Sequence, residues 1–274
     1  MNIIEAYIKN FDQLVILIIG LPTSNKSEIA KELHVDIKPA FTLININDYM
    51  NGFIEKEVNG IKFKLYDYPD NIDWNKLIKD VENKKSTGVI LYGNYIDYNK
   101  IKDKITIDFS YFFDLKHSIL KKNLIEKKML PFEVSNNKLS FDNVKDNDIE
   151  SISETVSVTE NSISISNSNI VLKNSDVKSN SDVKSNSDVK SNSDVKSNTN
   201  IVSNKMDKKS EEINYKLEIY IKDILLPIYK NIKENIKFNK FYNIKETTTF
   251  EEVYDDLFDN LMVLIQNKLK KITN

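Results

Sequence analysis

The sequence predicts an α/β fold: a mostly parallel sheet flanked by helices and interrupted by a long insertion. Three observations carry this. Short continuous apolar runs alternate with segments of helical periodicity. The first apolar run leads straight into a turn and a helix start. Between residues 135 and 210 the composition changes abruptly to Ser, Asn and Asp, with almost no aromatic residues after Phe141.

The elements follow in order. Leu14–Ile19 is apolar throughout, as expected of a strand covered on both faces. Lys26–Leu33 places Ile29, Ala30 and Leu33 at helical spacing. Phe41–Ile46 reads as a second strand, and Asn59-Gly60 between extended pieces signals a hairpin. Asp73 is placed to cap a helix beginning near Trp74. Gly88–Leu91 and Phe109–Phe113 read as further buried strands, and helical patterns cover 116–129, 212–234 and 249–270. Strand-then-helix alternation gives a parallel sheet with helices on its faces.

The 135–210 stretch holds the hexapeptide NSDVKS, starting at Asn174, Asn180, Asn186 and Asn192. A period of six invites a β-helix. However, each copy offers one valine as its apolar residue, too little to build a stacked core. The composition favours a disordered insertion, leaving residues 1–134 and 211–274 as a single domain of about 200 residues.

Composition excludes several classes of function. There is no cysteine, and His34 and His117 are the two histidines, so thiolate and His-rich metal sites are ruled out. The formal charge of −2 gives no reason to expect a nucleic-acid partner. The N-terminus lacks an apolar core of signal-peptide length, and Leu14–Ile19 is far too short to span a bilayer. A soluble, intracellular and cytoplasmic protein without membrane attachment is expected. All 39 basic residues are lysine, so a site needing a guanidinium fork must use a point charge instead.

The chemistry concentrates in Gly20-Leu21-Pro22-Thr23-Ser24-Asn25-Lys26-Ser27, which approaches the phosphate-loop pattern G-x-x-x-x-G-K-[ST]. Its context fits: an apolar strand, a tight turn, then a helix whose positive end faces the turn. Lys26 would reach the β- and γ-phosphates of ATP, and Ser27 would place its hydroxyl on Mg²⁺. Asn25 stands where the second glycine is expected. Asparagine tolerates a left-handed backbone better than other side chains, so the substitution is mild.

Two further segments add to this. "LININDYM" ends a strand with Asn47 and Asp48, and "LYDYPDNIDW" carries Tyr66, Asp67, Asp70 and Asp73 around Pro69. Together with the loop, they resemble the P-loop nucleoside kinases of the uridine kinase and nicotinamide riboside kinase group. "YIKDILLPIYKNI" is similar to that family's helix with a mid-helix proline, and "FEEVYDDLFDNLMVLIQNKL" to its last helix. The likeness is strongest to kinase-like proteins of giant DNA viruses, whose AT-rich genomes would account for the lysine bias.

The resemblance implies a P-loop NTPase-type sheet and ATP- and Mg²⁺-dependent phosphoryl transfer to the hydroxyl of a small nucleoside-like substrate. Asp67, with Asp70 and Tyr66, would hold the ribose. A carboxylate base at hydrogen-bond distance from the acceptor hydroxyl is worth about 10²–10⁴-fold. In a gapless comparison the family's aspartate falls on Asn47, which cannot act as a base. A shift of one residue reverses side-chain direction at a strand end, which makes Asp48 the candidate. Tyr92 replaces the family's acidic residue at the end of the middle strand. The lid arginines that clamp phosphate correspond to Lys121, Lys122, Lys127 and Lys128, which keep charge but lose bidentate geometry. Tyr66, Tyr68, Trp74 and Tyr95 are candidates to stack on a base, Trp74 being the one that reads better as core. These departures leave a second reading open: a nucleotide-binding protein that has lost catalysis and acts as a binding or interaction module. Base identity and oligomeric state are not legible.

Overall fold

A computed structural model describes residues 2–37, 41–66, 68–134 and 199–273. The NSDVKS copies and residues 135–198 of the insertion read over 135–210 lie outside the described residues, as does Asp67. Met1–Ser135 and Val202–Asn274 form one compact unit.

The unit opens with helix α1 (Ile3–Phe11), closed by a capping box in which Asn2 and Glu5 satisfy each other's backbone N–H groups. Strand β1 (Val15–Gly20) follows, then α2 (Lys26–Asp36), β2 (Thr42–Asn45) and a single 3₁₀ turn at Ile46–Tyr49. Strands β3 (Ile54–Val58) and β4 (Ile61–Leu65) form an antiparallel hairpin. Its turn residues Asn59 (φ 52°) and Gly60 (φ 75°) both adopt the positive φ that a two-residue turn of this hand requires. Helix α3 (Trp74–Lys84) is capped by Asp73, whose Oδ1 accepts from Lys76 N–H at 3.0 Å. After it come β5 (Val89–Gly93), the short α4 (Tyr98–Ile101), β6 (Phe109–Leu115) and α5 (His117–Glu126).

Beyond the undescribed stretch, α6 begins at Thr199, inside the span read from sequence as insertion, and runs to Ile219. A π-helical turn, Tyr220–Leu225, joins it to α7 (Leu226–Asn235), which carries Pro227 in its first turn. Proline has no N–H to give the helix ladder, and it is tolerated at such a start. Strand β7 (Lys240–Ile244) and helix α8 (Phe250–Thr273) complete the unit.

Five strands form a parallel sheet in the order β2-β5-β1-β6-β7. β1 is central and buried along its whole length. Its alternate side chains feed two cores, as the strand period of two demands. Val15, Leu17 and Ile19 pack with Leu77 and Val81 of α3 and Tyr229 and Ile232 of α7. Ile16 and Ile18 pack on the opposite face with Tyr7 of α1, Ile29 and Leu33 of α2, and Leu257 and Leu261 of α8.

This order decides where a site can form. The chain leaves β1 toward β2 on one side and leaves β5 toward β6 on the other. The C-terminal ends of β1 and β5 therefore flank a switch point, where open parallel sheets leave a crevice. Among the described residues, no helix is long and apolar enough to cross a membrane.

Candidate functional site

The crevice is entered at Gly20, the last residue of β1. A Cβ there would stand 2.1 Å from the carbonyl oxygen of Phe113 on β6, so a side chain has no room. The contact also directs the chain, because Leu21 N–H donates to that same oxygen at 2.9 Å. Leu21 and Pro22 are buried. Thr23 (φ 65°) and Asn25 (φ 59°, ψ 13°) then adopt left-handed backbone, while Ser24 between them does not. Such alternation turns successive N–H groups into one concavity, a nest suited to an anion. The sequence foretold this conformation at Asn25. It gave no sign of it at Thr23, a β-branched residue for which positive φ is a genuine outlier.

Helix α2 starts immediately after the nest, and the Asn25 side chain makes no capping hydrogen bond. First-turn N–H groups of a helix have no intrahelical partners, and the helix dipole adds positive potential there. Two side chains reinforce that character. Lys26 is 4 % exposed, and its Nζ donates to Leu21 O at 3.0 Å, folding back across the loop. Ser24 is 1 % exposed, and its Oγ has no hydrogen-bond partner. An orphaned buried hydroxyl is costly, by about 1–3 kcal/mol. Ser27 is half-buried at the helix start. The eight residues from Gly20 to Ser27 thus run from the end of β1 through the turn into the start of α2.

The loop is tied to the neighbouring strand end. Tyr229 of α7 is buried, and its hydroxyl lies 3.0 Å from Gly20 O and 2.9 Å from Asn94 O, just past β5. Its single proton sits between two carbonyls, one from each side of the switch point. Helix α5 reaches the loop through Asn123, whose Nδ2 donates to Thr23 Oγ1 at 3.3 Å.

Beside Pro22 opens a cavity of about 310 Å³. Its walls include Tyr66 and Tyr68 after β4, Tyr95 after β5 and Tyr220 from the π-helical turn. Leu124 and the segment Lys128–Pro131 close it from α5. Three of the four aromatic residues expected to stack on a base therefore share one cavity. Trp74 does not; it is packed in the core with its Nε1–H donating to Pro69 O at 2.9 Å. Asp70 is exposed on the Pro69–Asn71 turn.

Asp48 is elsewhere. It lies on the 3₁₀ turn after β2, accepts from Asn45 Nδ2 at 2.9 Å, and lines a separate groove with Tyr49, Lys76 and Asp80. That groove includes no residue of the Gly20–Ser27 turn. Tyr92, at the end of β5, has its phenol pushed up, first by burial and then by the charges of Asp48 and Glu28.

Two of the four lysines expected to clamp phosphate are engaged with carboxylates. Lys121 Nζ lies 3.4 Å from Glu218 Oε2, and Lys122 Nζ lies 3.3 Å from Glu246 Oε1. Glu218 also receives Lys222 at 3.0 Å and lies 3.1 Å from His117 Nε2, which is close but not aligned for a hydrogen bond. Asn123 and Tyr229 are the site residues that sequence reasoning missed. Asn123 sat unnoticed directly after Lys122, and nothing local links Tyr229 to a loop 209 residues away.

No protein-family model matches the chain, and no curated protein matches it.

Proposed function

We propose that the chain is a P-loop kinase-like protein that binds Mg²⁺-ATP through Gly20–Ser27 and transfers the γ-phosphoryl group to a nucleoside-like acceptor in the tyrosine-lined cavity. One observation carries this reading: a nest with two left-handed residues encloses an orphaned buried hydroxyl, Ser24 Oγ, beside a buried ammonium, Lys26. A polyanion would satisfy all three features together.

On binding, Lys26 would exchange the Leu21 carbonyl for phosphate oxygens. The residues also fit Mg²⁺, which keeps several waters and takes much of its coordination from phosphates, so the Ser27 hydroxyl suffices as a protein ligand. The ion would neutralise charge on the β- and γ-phosphates. Lys121 and Lys122 could join, because partly exposed ion pairs such as those with Glu218 and Glu246 are worth only about 0–1 kcal/mol and exchange readily. Tyr66, Tyr68 and Tyr95 would stack on a planar base, at about 0.5–1.5 kcal/mol per aromatic pair. Asp67 and Asp70 remain the proposed ribose ligands.

A second reading, nucleotide binding without catalysis, is favoured by the position of Asp48. A hydroxyl acceptor in the cavity needs a base, and Asp48 lines a different groove. Calorimetry with Mg²⁺-ATP, followed by a transfer assay over uridine, cytidine and nicotinamide riboside, separates the two. Binding that survives Lys26→Ala would sink the loop assignment. Binding without turnover on any acceptor would favour the second reading.

A further inference from the structure

Helix α5 ends in a way that places one lysine against the cavity at a cost. Met129 N–H bonds Leu124 O at 2.9 Å, and Lys128 N–H bonds Ile125 O at 3.1 Å. Together these form a helix stop whose penultimate residue must be left-handed. Glycine is the usual occupant, because it carries no Cβ penalty. Here the residue is Lys128, at φ 54°. Lys128 is exposed, is one of the residues lining the cavity, and makes no ion pair with a carboxylate among the described residues. Lys64, the second cation of the lining, is held by Glu133 at 2.7 Å. None of the described residues lining the cavity is acidic. A left-handed, exposed lysine at the wall of a tyrosine-lined cavity, with no acidic neighbour among the described lining residues, points to an anionic ligand.

We infer that the acceptor in this cavity is a nucleoside monophosphate, with Lys128 the residue that selects its charge. The inference rests on the kinase reading above and sharpens its substrate. It also removes that reading's chief difficulty. A phosphate monoester has its second pKa near 6, so at neutral pH its oxygens are already ionised. One of these oxygens attacks the γ-phosphorus of ATP. The bond from that phosphorus to the β–γ bridging oxygen breaks, and ADP leaves with the electron pair. The products are ADP and a nucleoside diphosphate, and no proton has to be removed. No carboxylate base is therefore needed at the acceptor, consistent with Asp48 standing in another groove. Lys128 would balance the acceptor's charge while Lys26 serves the donor's.

The test uses the full chain, with matched pairs of uridine and UMP and of cytidine and CMP. Binding of each is measured by calorimetry with a non-hydrolysable ATP analogue present, and products are separated by chromatography with ATP. The monophosphates are expected to bind about ten- to a hundredfold more tightly than their nucleosides, as one charge-assisted contact implies. Lys128→Gln should bring the two within about threefold of each other, and Lys128→Arg should keep most of the preference. Lys128→Gly should lose the preference while melting at or above the wild-type temperature, because it relieves the left-handed strain, so loss of binding cannot be laid to misfolding. Equal binding of both members of each pair, better binding of the nucleosides, or a preference that survives in folded Lys128→Gly would overturn the inference. If ATP binds in a Lys26-dependent way and neither acceptor class binds, the inference fails and the ATP site stands. If the monophosphates bind through Lys128 and ATP does not, the charge assignment stands and phosphoryl transfer falls.

Discussion

Replacing Gly20 by alanine tests the geometry on which the loop depends. The added Cβ would lie 2.1 Å from Phe113 O and 2.7 Å from Phe113 Cβ, and real side chains do not approach below 3.0 Å. The ends of β1 and β6 must therefore part by roughly 1 Å, against interiors packed tightly enough to resist it. Overpacking of this kind costs about 1–3 kcal/mol. The same movement stretches the Leu21 N–H···O=C Phe113 bond, now 2.9 Å, and losing a buried hydrogen bond costs about 1–3 kcal/mol more. A total of about 2–6 kcal/mol lowers the melting temperature of a unit this size by roughly 4–24 °C. Gly52→Ala is the control. Gly52 has a positive φ of 74° but nothing within 4 Å, so it should show only the backbone penalty of about 1–2 kcal/mol. Urea denaturation and calorimetry with Mg²⁺-ATP read both outcomes. Gly20→Ala should lose stability and ATP affinity together, whereas Gly52→Ala should keep its affinity. If the two variants are equally stable, or if Gly20→Ala binds ATP normally, the close approach does not shape the loop.

Tyr229→Phe removes the proton shared by Gly20 O and Asn94 O, and should cost about 1–3 kcal/mol in urea denaturation together with a weaker ATP titration. Asp108 accepts from Tyr7 Oη at 2.9 Å, Gln13 Nε2 at 3.0 Å and Val15 N at 2.8 Å. Asp108→Ala strands these donors at the start of β1 and should destabilise by about 2–4 kcal/mol, with ATP affinity unchanged per folded molecule. The Glu218 carboxyl is held below its ordinary value of 4.5, chiefly by the hydrogen bond from Lys222, with His117 and Lys121 adding and burial opposing. A depressed folded-state pKa gives stability that is present above about 4.5 and lost as pH falls through the folded value. A carboxyl-resolved NMR titration should place Glu218 below 4.5, and Glu218→Gln should flatten the acid limb of thermal stability; a normal titration refutes the network.

Patterns that are local in sequence were readable, and those that depend on distant partners were not. Asn59-Gly60 announced its hairpin and Asp73 its helix, because turn and cap chemistry act over two or three residues. The runs 14–19, 88–91 and 109–113 announced β1, β5 and β6, because strands covered on both faces need no alternation. Strand β7 escaped notice: "KFYNI" is only partly buried at a sheet edge, and pairing with β6 makes it a strand. Helix α1 also escaped, although Asn2 and Glu5 spell its capping box. At the site, the loop's position was legible and its strain was only half so. Asn25 is a residue type that visits left-handed backbone, but Thr23 is forced there by the turn around it. The resemblance to the nucleoside kinases implied that Lys121 and Lys122 face phosphate. Their pairing with Glu218 and Glu246 depends on segments about a hundred residues further on. Likewise, the aromatic cavity is assembled from five separate stretches, none of which declares the others.

The hydroxyl of Tyr229 also sets an order of events during synthesis. Gly20 and Tyr229 are 209 residues apart in sequence. At about 5–20 residues per second, roughly 10–40 s pass between the emergence of the loop and that of the residue that clasps it. For that interval the nascent chain carries the whole of Gly20–Ser27 without the contact joining it to the end of β5. A chain terminated before Tyr229 would display every residue of the motif and lack the hydroxyl that ties the loop to the end of β5.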